Sequence, residues 1–204
     1  MLLSCFLTLS IGLAAFCGDR LLDFYTNKIL RAFIDNATHG AVGLLTWAVV
    51  VVSLPEGRKY YIFSRLVDVI LCGFAACAID VDHITKPFVK SPNIKKDLLL
   101  EHRPLLHCTT LWIAICVICF TLSKITKTEW LTVLCWLLSA ASISHHIRDG
   151  TRRGLWFWPF GSTSPIPYTM YVTLLCLLPF AEREMMILTV RSRITVADIL
   201  NIQV

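Results

Sequence analysis

Residues 78–108, AIDVDHITKPFVKSPNIKKDLLLEHRPLLHC, join two apolar segments. Among their carboxylate and imidazole side chains, within 28 residues, are Asp80, Asp82, His83, His102 and His107. Such groups are costly to place where an apolar segment ends near a bilayer, and metal or proton chemistry is a common reason for them. The stretch therefore predicts a polar site between membrane helices, for which other parts of the chain must supply partners.

The composition of the whole chain indicates a membrane protein. A length of 204 residues suits one domain, but 56% of the residues are hydrophobic and the mean hydropathy is +0.67. These values are too apolar for an ordinary soluble domain. We therefore expect one membrane domain over residues 1–204, embedded in the lipid bilayer. The net charge of +5 is modest and its cations are scattered through loops, so nucleic-acid binding is not expected.

Apolar runs predict an all-α, multi-pass protein with about six membrane spans, or five if the first run is not a span. The runs cover residues 2–17, 37–54, 60–79, 105–122, 131–147 and 166–181. Residues 19–35 place apolar side chains at helical spacing with most charged ones elsewhere on the helix, which predicts a short helix in the membrane interface. Residues 182–204 form a more polar tail.

The histidines share one side of this predicted bundle. With six spans, the loops after spans one, three and five face the same side, and all six histidines fall in or beside those loops. The same loops carry more Lys and Arg than the opposite side, so the positive-inside rule places this face in the cytosol. We therefore expect the polar site at a cytosolic membrane surface.

The spacing of these residues suits ligands of a metal ion. His145 and Asp149 are four residues apart, which places them on one side of a helix. Pro104 favours a first helical position, which leaves His102 in the loop and puts His107 in the first turn of span four. The predicted metal ligands are His39, Asp80, Asp82, His83, His102, His107, His145 and Asp149.

Oxygen and imidazole donors without thiolates suit Zn²⁺, Mn²⁺, Mg²⁺ or Fe²⁺. Eight donors exceed the needs of one ion, so we expect one or two ions, and a two-metal site would suit hydrolysis of a phosphoester. Asp82 or Glu101 is a candidate general base. His146, turned about 100° from its neighbour on a helix, is expected to be an ordinary headgroup-level histidine, and residues 156–160 an aromatic belt.

The order of these motifs resembles the YdjM-like family of bacterial inner-membrane proteins, described as LexA-binding proteins or metal-dependent hydrolases. The chain has Thr-His at a span start, D-x-D-H at a span end, H-R with a second histidine five residues after the first, and S-H-x3-D before a W-P-F run. The resemblance covers about residues 38–160. It implies metal or catalytic roles for the same eight residues, and it implies that Arg103 holds a phosphate or carboxylate.

Two functions are open at this stage. The first is a metal-dependent hydrolase of a phosphoester or lipid-like substrate, with catalytic residues Asp82, Glu101 and Arg103. The second is a non-enzymatic membrane adaptor or structural protein that keeps the motif residues. It is suggested by Pro104 and Cys108, which stand where the family has glycine and a hydroxyl residue.

Overall fold

A computed structural model describes residues 2–55, 62–81 and 104–201. This part of the chain contains the helices α1 (Leu2–Phe24), α2 (Lys28–Ser53), α3 (Ile62–Ala78), α4 (Thr109–Thr126), α5 (Glu129–Arg153) and α6 (Tyr168–Asn201). A 3₁₀ turn, Leu105–His107, precedes α4. An antiparallel hairpin of two short strands, β1 (Trp156–Phe157) and β2 (Gly161–Ser162), connects α5 to α6. The predicted all-α class is confirmed.

Four of these helices, α1, α2, α4 and α5, are long and apolar enough to cross a membrane. The helix α3 has only 17 residues, which corresponds to a length of about 25 Å, and α6 contains Pro179. The described residues therefore support four spans, and the predicted number of about six is not confirmed.

The separate interfacial helix predicted for residues 19–35 is wrong. The first part of this segment continues α1, and the second part begins α2. The break follows from Asn27, whose side chain accepts hydrogen bonds from the backbone N–H groups of Ile29 (2.9 Å) and Leu30 (3.2 Å) and so caps α2. Because α2 starts this early, His39 lies well inside the helix rather than in its first turn.

The helix α2 is the centre of the bundle, since it packs against α1, α3, α5 and α6. One of its faces contributes Trp47 and Val50 to a core shared with α3, α5 and α6. Another contributes Val42 and Val49 to a core shared with α1, α5 and α6. Large apolar side chains on α1 and α4 remain exposed on the outside of the bundle, as expected for helices that face lipid.

Small residues allow α2 and α3 to approach closely. A Cβ atom added to Gly43 would lie 2.8 Å from the Cβ of Ala76 and 3.2 Å from the carbonyl oxygen of Cys72. Small residues at helix interfaces are a common means of packing helices in membranes. The close approach brings Asp80, at the end of α3, beside His39 of α2.

We predict that Gly43→Ala destabilises the protein by about 1–3 kcal/mol, because the added methyl group overpacks the α2–α3 interface. The measurement is thermal unfolding in detergent, followed by labelling of the buried cysteine thiols, which are free in this protein. Gly12→Ala is the matched control, since its Cβ would meet Cys176 Sγ at an ordinary 3.5 Å. Equal unfolding temperatures for the two variants would contradict the close packing.

Candidate metal centre

Five of the eight predicted ligands come together at one end of the bundle. They are His39 of α2, Asp80 after α3, His107 of the 3₁₀ turn, and His145 and Asp149 of α5. The structure therefore joins residues that lie on four separate segments of the chain. The remaining predicted ligands and catalytic residues lie outside the described residues: Asp82, His83, Glu101, His102 and Arg103.

Local structure explains how two of these segments present their side chains. The four-residue spacing on α5 places His145 Nε2 3.5 Å from Asp149 Oδ2, as the helical period predicts. The predicted position of His107 in the first turn of span four is wrong. Pro104 caps the 3₁₀ turn, and His107 ends that turn two residues before α4 begins at Thr109. His107 is nevertheless buried and faces the other donors.

Five distances among four donor atoms are close to those between the ligands of a tetrahedral ion. His107 Nε2 lies 3.3 Å from Asp80 Oδ1 and 3.2 Å from Asp149 Oδ2. His145 Nε2 lies 3.7 Å and 3.5 Å from the same two oxygens and 3.5 Å from His107 Nε2. In a tetrahedral site with bonds of about 2.0–2.2 Å, neighbouring ligand atoms are about 3.3–3.6 Å apart. The cluster can therefore hold an ion such as Zn²⁺.

Hydrogen bonding around the cluster also favours a cation. His145 is fully buried, and its Nδ1 lies 2.9 Å from the carbonyl oxygen of Ala76, to which it donates. In the neutral imidazole, Nε2 then carries a lone pair directed at two carboxylates, an arrangement typical of metal-binding histidines. Burial raises the pKa of Asp80, but the hydrogen bond with His107, together with His145 and His39 when they are protonated, lowers this pKa overall below the usual value.

His39 is a second candidate for the fourth ligand. It forms a group with three of the other donors in which the ligand atoms lie within 4.8 Å of one another, and its Nε2 lies 3.4 Å from Asp149 Oδ1. However, Arg148 Nη1 lies 3.1 Å from the same Nε2 and donates to it. A nitrogen that accepts this hydrogen bond has no lone pair left for an ion. We therefore favour His107 over His39 as the ligand.

A charged network that the histidine spacing did not indicate lies behind His39. Arg148 is only 1% exposed. Its Nη1 donates to Asp35, and its Nη2 donates to Asp19 Oδ1 at 3.0 Å. The other oxygen of Asp19 accepts from the hydroxyl of Tyr171 at 3.1 Å, and Arg152 donates two hydrogen bonds of 2.7 Å to Asp35. The network connects α1, α2, α5 and α6.

One local signal could have indicated part of this network. Asp35 precedes His39 by four residues, and Arg148 precedes Arg152 by four, so each pair lies on one side of its helix. These charges also fit ordinary juxtamembrane positions, which is the interpretation that the sequence alone favours. Asp19 has no such signal, because its partners are distant in the chain.

The structure corrects the expectation for His146. Its side chain is buried within the protein, since the residue is only 6% exposed. Its ring contacts that of His145 with 5.8 Å between centroids, and it forms a hydrogen bond with the backbone of Leu106. His146 is therefore part of the wall around the cluster.

Comparison with known proteins places the chain in a family. It matches the family model "YdjM inner membrane protein" over residues 34–200. The chain belongs to the YdjM family. Relatives named Transmembrane protein 267 are similar along most of its length. The Danio rerio protein is 42% identical over 190 residues, covering 88% of this chain and 80% of the relative. The Mus musculus protein is 41% identical over 189 residues, covering 88% and 82%. No solved structure matches.

The family match includes all five residues of the cluster, and of the charged network it leaves out only Asp19. The family name and the four apolar helices together identify an integral membrane protein. The names of the YdjM family and of these relatives state no activity.

We predict that Arg148→Met destabilises the protein by about 3 kcal/mol, because removing one partner of a buried ion pair leaves its carboxylates uncompensated. We expect the lower end of the known range, since the side chains of Asp19 and Asp35 are 27% and 23% exposed. The measurement is thermal unfolding in detergent. Arg20→Met is the control, because Arg20 is exposed and its loss should change stability by less than about 0.5 kcal/mol. Similar losses in both variants would contradict a central role for Arg148.

Proposed function

We propose that this YdjM-family protein is a metal-dependent hydrolase that acts on a phosphoester at the membrane surface. The observation that carries the proposal is the set of distances of 3.2–3.7 Å that separate the imidazole nitrogens of His107 and His145 from each other and from one carboxylate oxygen each of Asp80 and Asp149. When bound there, a divalent ion would lower the pKa of a water ligand and polarise a phosphoryl oxygen.

The charges of the cluster and its network support one ion rather than two. The carboxylates outnumber the guanidinium groups by two, so with neutral histidines one divalent ion would balance the connected group of described residues. Its members are Asp19, Asp35, Asp80, Asp149, Arg148 and Arg152. A second ion on the side of His39 would lie against the guanidinium of Arg148, which already supplies a positive charge there.

The donor chemistry narrows the choice of ion. Two imidazoles and two carboxylates at tetrahedral spacing suit Zn²⁺ best, while Mn²⁺ and Fe²⁺ also accept such ligands and Mg²⁺ prefers six oxygens. Among the described residues, a cavity beside the cluster is lined by His107 and Asp149, two of the four ligands.

A non-enzymatic structural role is the second candidate. It is favoured by the contacts that His39 and Asp149 make across the bundle, since these residues join α2 to α5 within the protein itself. In this case the cluster would stabilise the end of the bundle. Substitution of its residues would destabilise the fold, and the wild-type protein would have no hydrolytic activity. Assays of metal content and hydrolysis separate the two candidates.

We predict that the purified full-length protein contains one divalent ion per chain by elemental analysis. His107→Ala should weaken metal binding by more than about tenfold, because it removes a ligand. His39→Ala is the matched control, and it should keep a stoichiometric ion because Arg148 occupies its nitrogen. Absence of metal from the wild-type protein would refute the proposal. Loss of metal in His39→Ala but not in His107→Ala would assign His39 as the ligand.

We also predict that the zinc-loaded protein hydrolyses at least one member of a panel of phosphomonoesters and phospholipids in detergent. A chelator should abolish the activity and added zinc should restore it. Asp149→Asn should lose more than about 99% of the rate, since it removes a charged ligand of the ion. A protein that holds metal but hydrolyses nothing in the panel, while His107→Ala lowers its stability, would favour the structural role.

A further inference from the structure

A glutamate on α6 lies in the interior of the bundle, among apolar side chains. Glu182 is only 4% exposed. It follows Leu175 and Leu178 and precedes Met186 at helical spacing, and these three apolar side chains are buried. The carboxyl therefore stands on the buried face of α6, at a position where the pattern of an amphipathic helix calls for an apolar residue.

The hydrogen-bond partner of Glu182 shows how deep the carboxyl lies. Ser139 Oγ donates to Glu182 Oε1 at 2.8 Å. Ser139 is near the middle of α5, a helix long and apolar enough to cross a membrane, and it precedes His145 by about 9 Å along the axis. The carboxyl is therefore at the level of the hydrocarbon interior. Ionisable groups at this depth are costly and usually have a function.

The carboxyl has one hydrogen bond and no cationic partner. Its other oxygen, Oε2, is buried without a hydrogen-bond partner among the described residues. The adjacent Arg183 is used elsewhere, since its Nε donates to the carbonyl of Ser53 at 2.7 Å and its Nη1 donates to Glu184. An ionised carboxylate in this position would be an unpaired buried charge, which is too costly to maintain. The carboxyl therefore holds a proton.

The groups around Glu182 favour a proton over a metal ion. The thiols of Cys72, Cys116 and Cys135 lie within electrostatic range of the carboxyl from three helices, and Trp47 of α2 belongs to the same apolar core as Cys72. In the described part of the chain, these thiols and the carboxyl do not come together at metal-binding distances. A hard cation needs several oxygen ligands, whereas a proton needs only the carboxyl.

We propose that Glu182 is a proton-binding site inside the membrane domain, and that the bound proton keeps α6 packed against α5 at Ser139. Loss of the proton would leave a negative charge among apolar and thiol groups. The bundle would then have to admit water or release α6 from this contact. The proton site shares no residue with the metal centre, so the two proposals stand or fall separately.

Glu182→Gln is the first test, because glutamine has the shape of a protonated carboxyl and can still accept from Ser139. Infrared spectra of the full-length wild type in nanodiscs at neutral pH should show the C=O band of a protonated carboxyl, and this band should be missing from the variant. It should disappear from the wild type as the pH rises. Identical spectra of the wild type and the variant would overturn the proposal.

The pH dependence of stability has a defined sign. The folded protein holds a proton that the unfolded chain releases above about pH 4.3. The unfolding temperature of the wild type should therefore fall relative to that of Glu182→Gln as the pH rises from this value to the pH at which the infrared band is lost. A constant difference between the two proteins over this range would contradict proton binding at Glu182.

Chemical labelling assigns the proton to this residue. Dicyclohexylcarbodiimide is an apolar reagent to which a protonated carboxyl adds, with the proton passing to a nitrogen of the reagent and the oxygen to its central carbon. Glu184 is the internal control, since its side chain is 60% exposed. An ordinary glutamate is protonated in only about 0.2% of molecules at about pH 7, so labelling of Glu182, measured by mass spectrometry, should exceed that of Glu184 at least about tenfold. Equal labelling, or protection of Glu182 by sodium ions at constant pH, would overturn the proposal.

Substitution of Ser139 tests the contact between the helices. Its hydroxyl stabilises the ionised carboxylate more than the neutral acid. In Ser139→Ala the infrared band should therefore persist to a pH higher by about one unit. Ser142→Ala is the matched control, because Ser142 Oγ is buried too but donates to the backbone carbonyl of Ser139 at 3.2 Å. Equal behaviour of the two variants would show that Ser139 is not the partner of the proton site.

Discussion

The buried guanidinium of Arg148 is the group on which the arrangement of the site depends. A cation that is 1% exposed is tolerated only when it is paired and hydrogen-bonded, because its desolvation is otherwise too costly. Asp19 of α1 and Asp35 of α2 supply the pairing charges, while Arg148 itself comes from α5. Since each charge is on a different helix, satisfying this one cation fixes three helices relative to one another.

The same cation divides the imidazoles into two roles. His39 and His145 stack with 3.8 Å between their ring centroids, so they form one layer across α2 and α5. On one side of the layer, Arg148 donates to His39. On the other side, His145 faces the two carboxylates and His107. The guanidinium lies at one side of the layer and the two carboxylates at the other.

The predictions of an all-α membrane protein and of the shared side of one ligand pair agree with the structure, whereas the number of spans predicted from apolar runs is not confirmed. Apolar runs indicated helices and a membrane location, and helical spacing placed His145 and Asp149 on one side of α5. Predictions that required helix ends were less accurate. Residues 19–35 are amphipathic in either arrangement, so the pattern could not show that α1 ends at Phe24 and that Asn27 caps the start of α2. His107 was misplaced by two residues because Pro104 starts a 3₁₀ turn instead of the helix.

The sequence by itself determined the class of the protein and the kind of donors available, because hydrophobicity and residue type are local properties. It could not determine which donors meet. Arg148 is 113 residues from Asp35 and 129 from Asp19, and the partners of His145 include His107, 38 residues away. The tertiary structure decided these pairings, because close packing of α2 against α3 and the cost of an unpaired buried charge allow few arrangements of the helix ends.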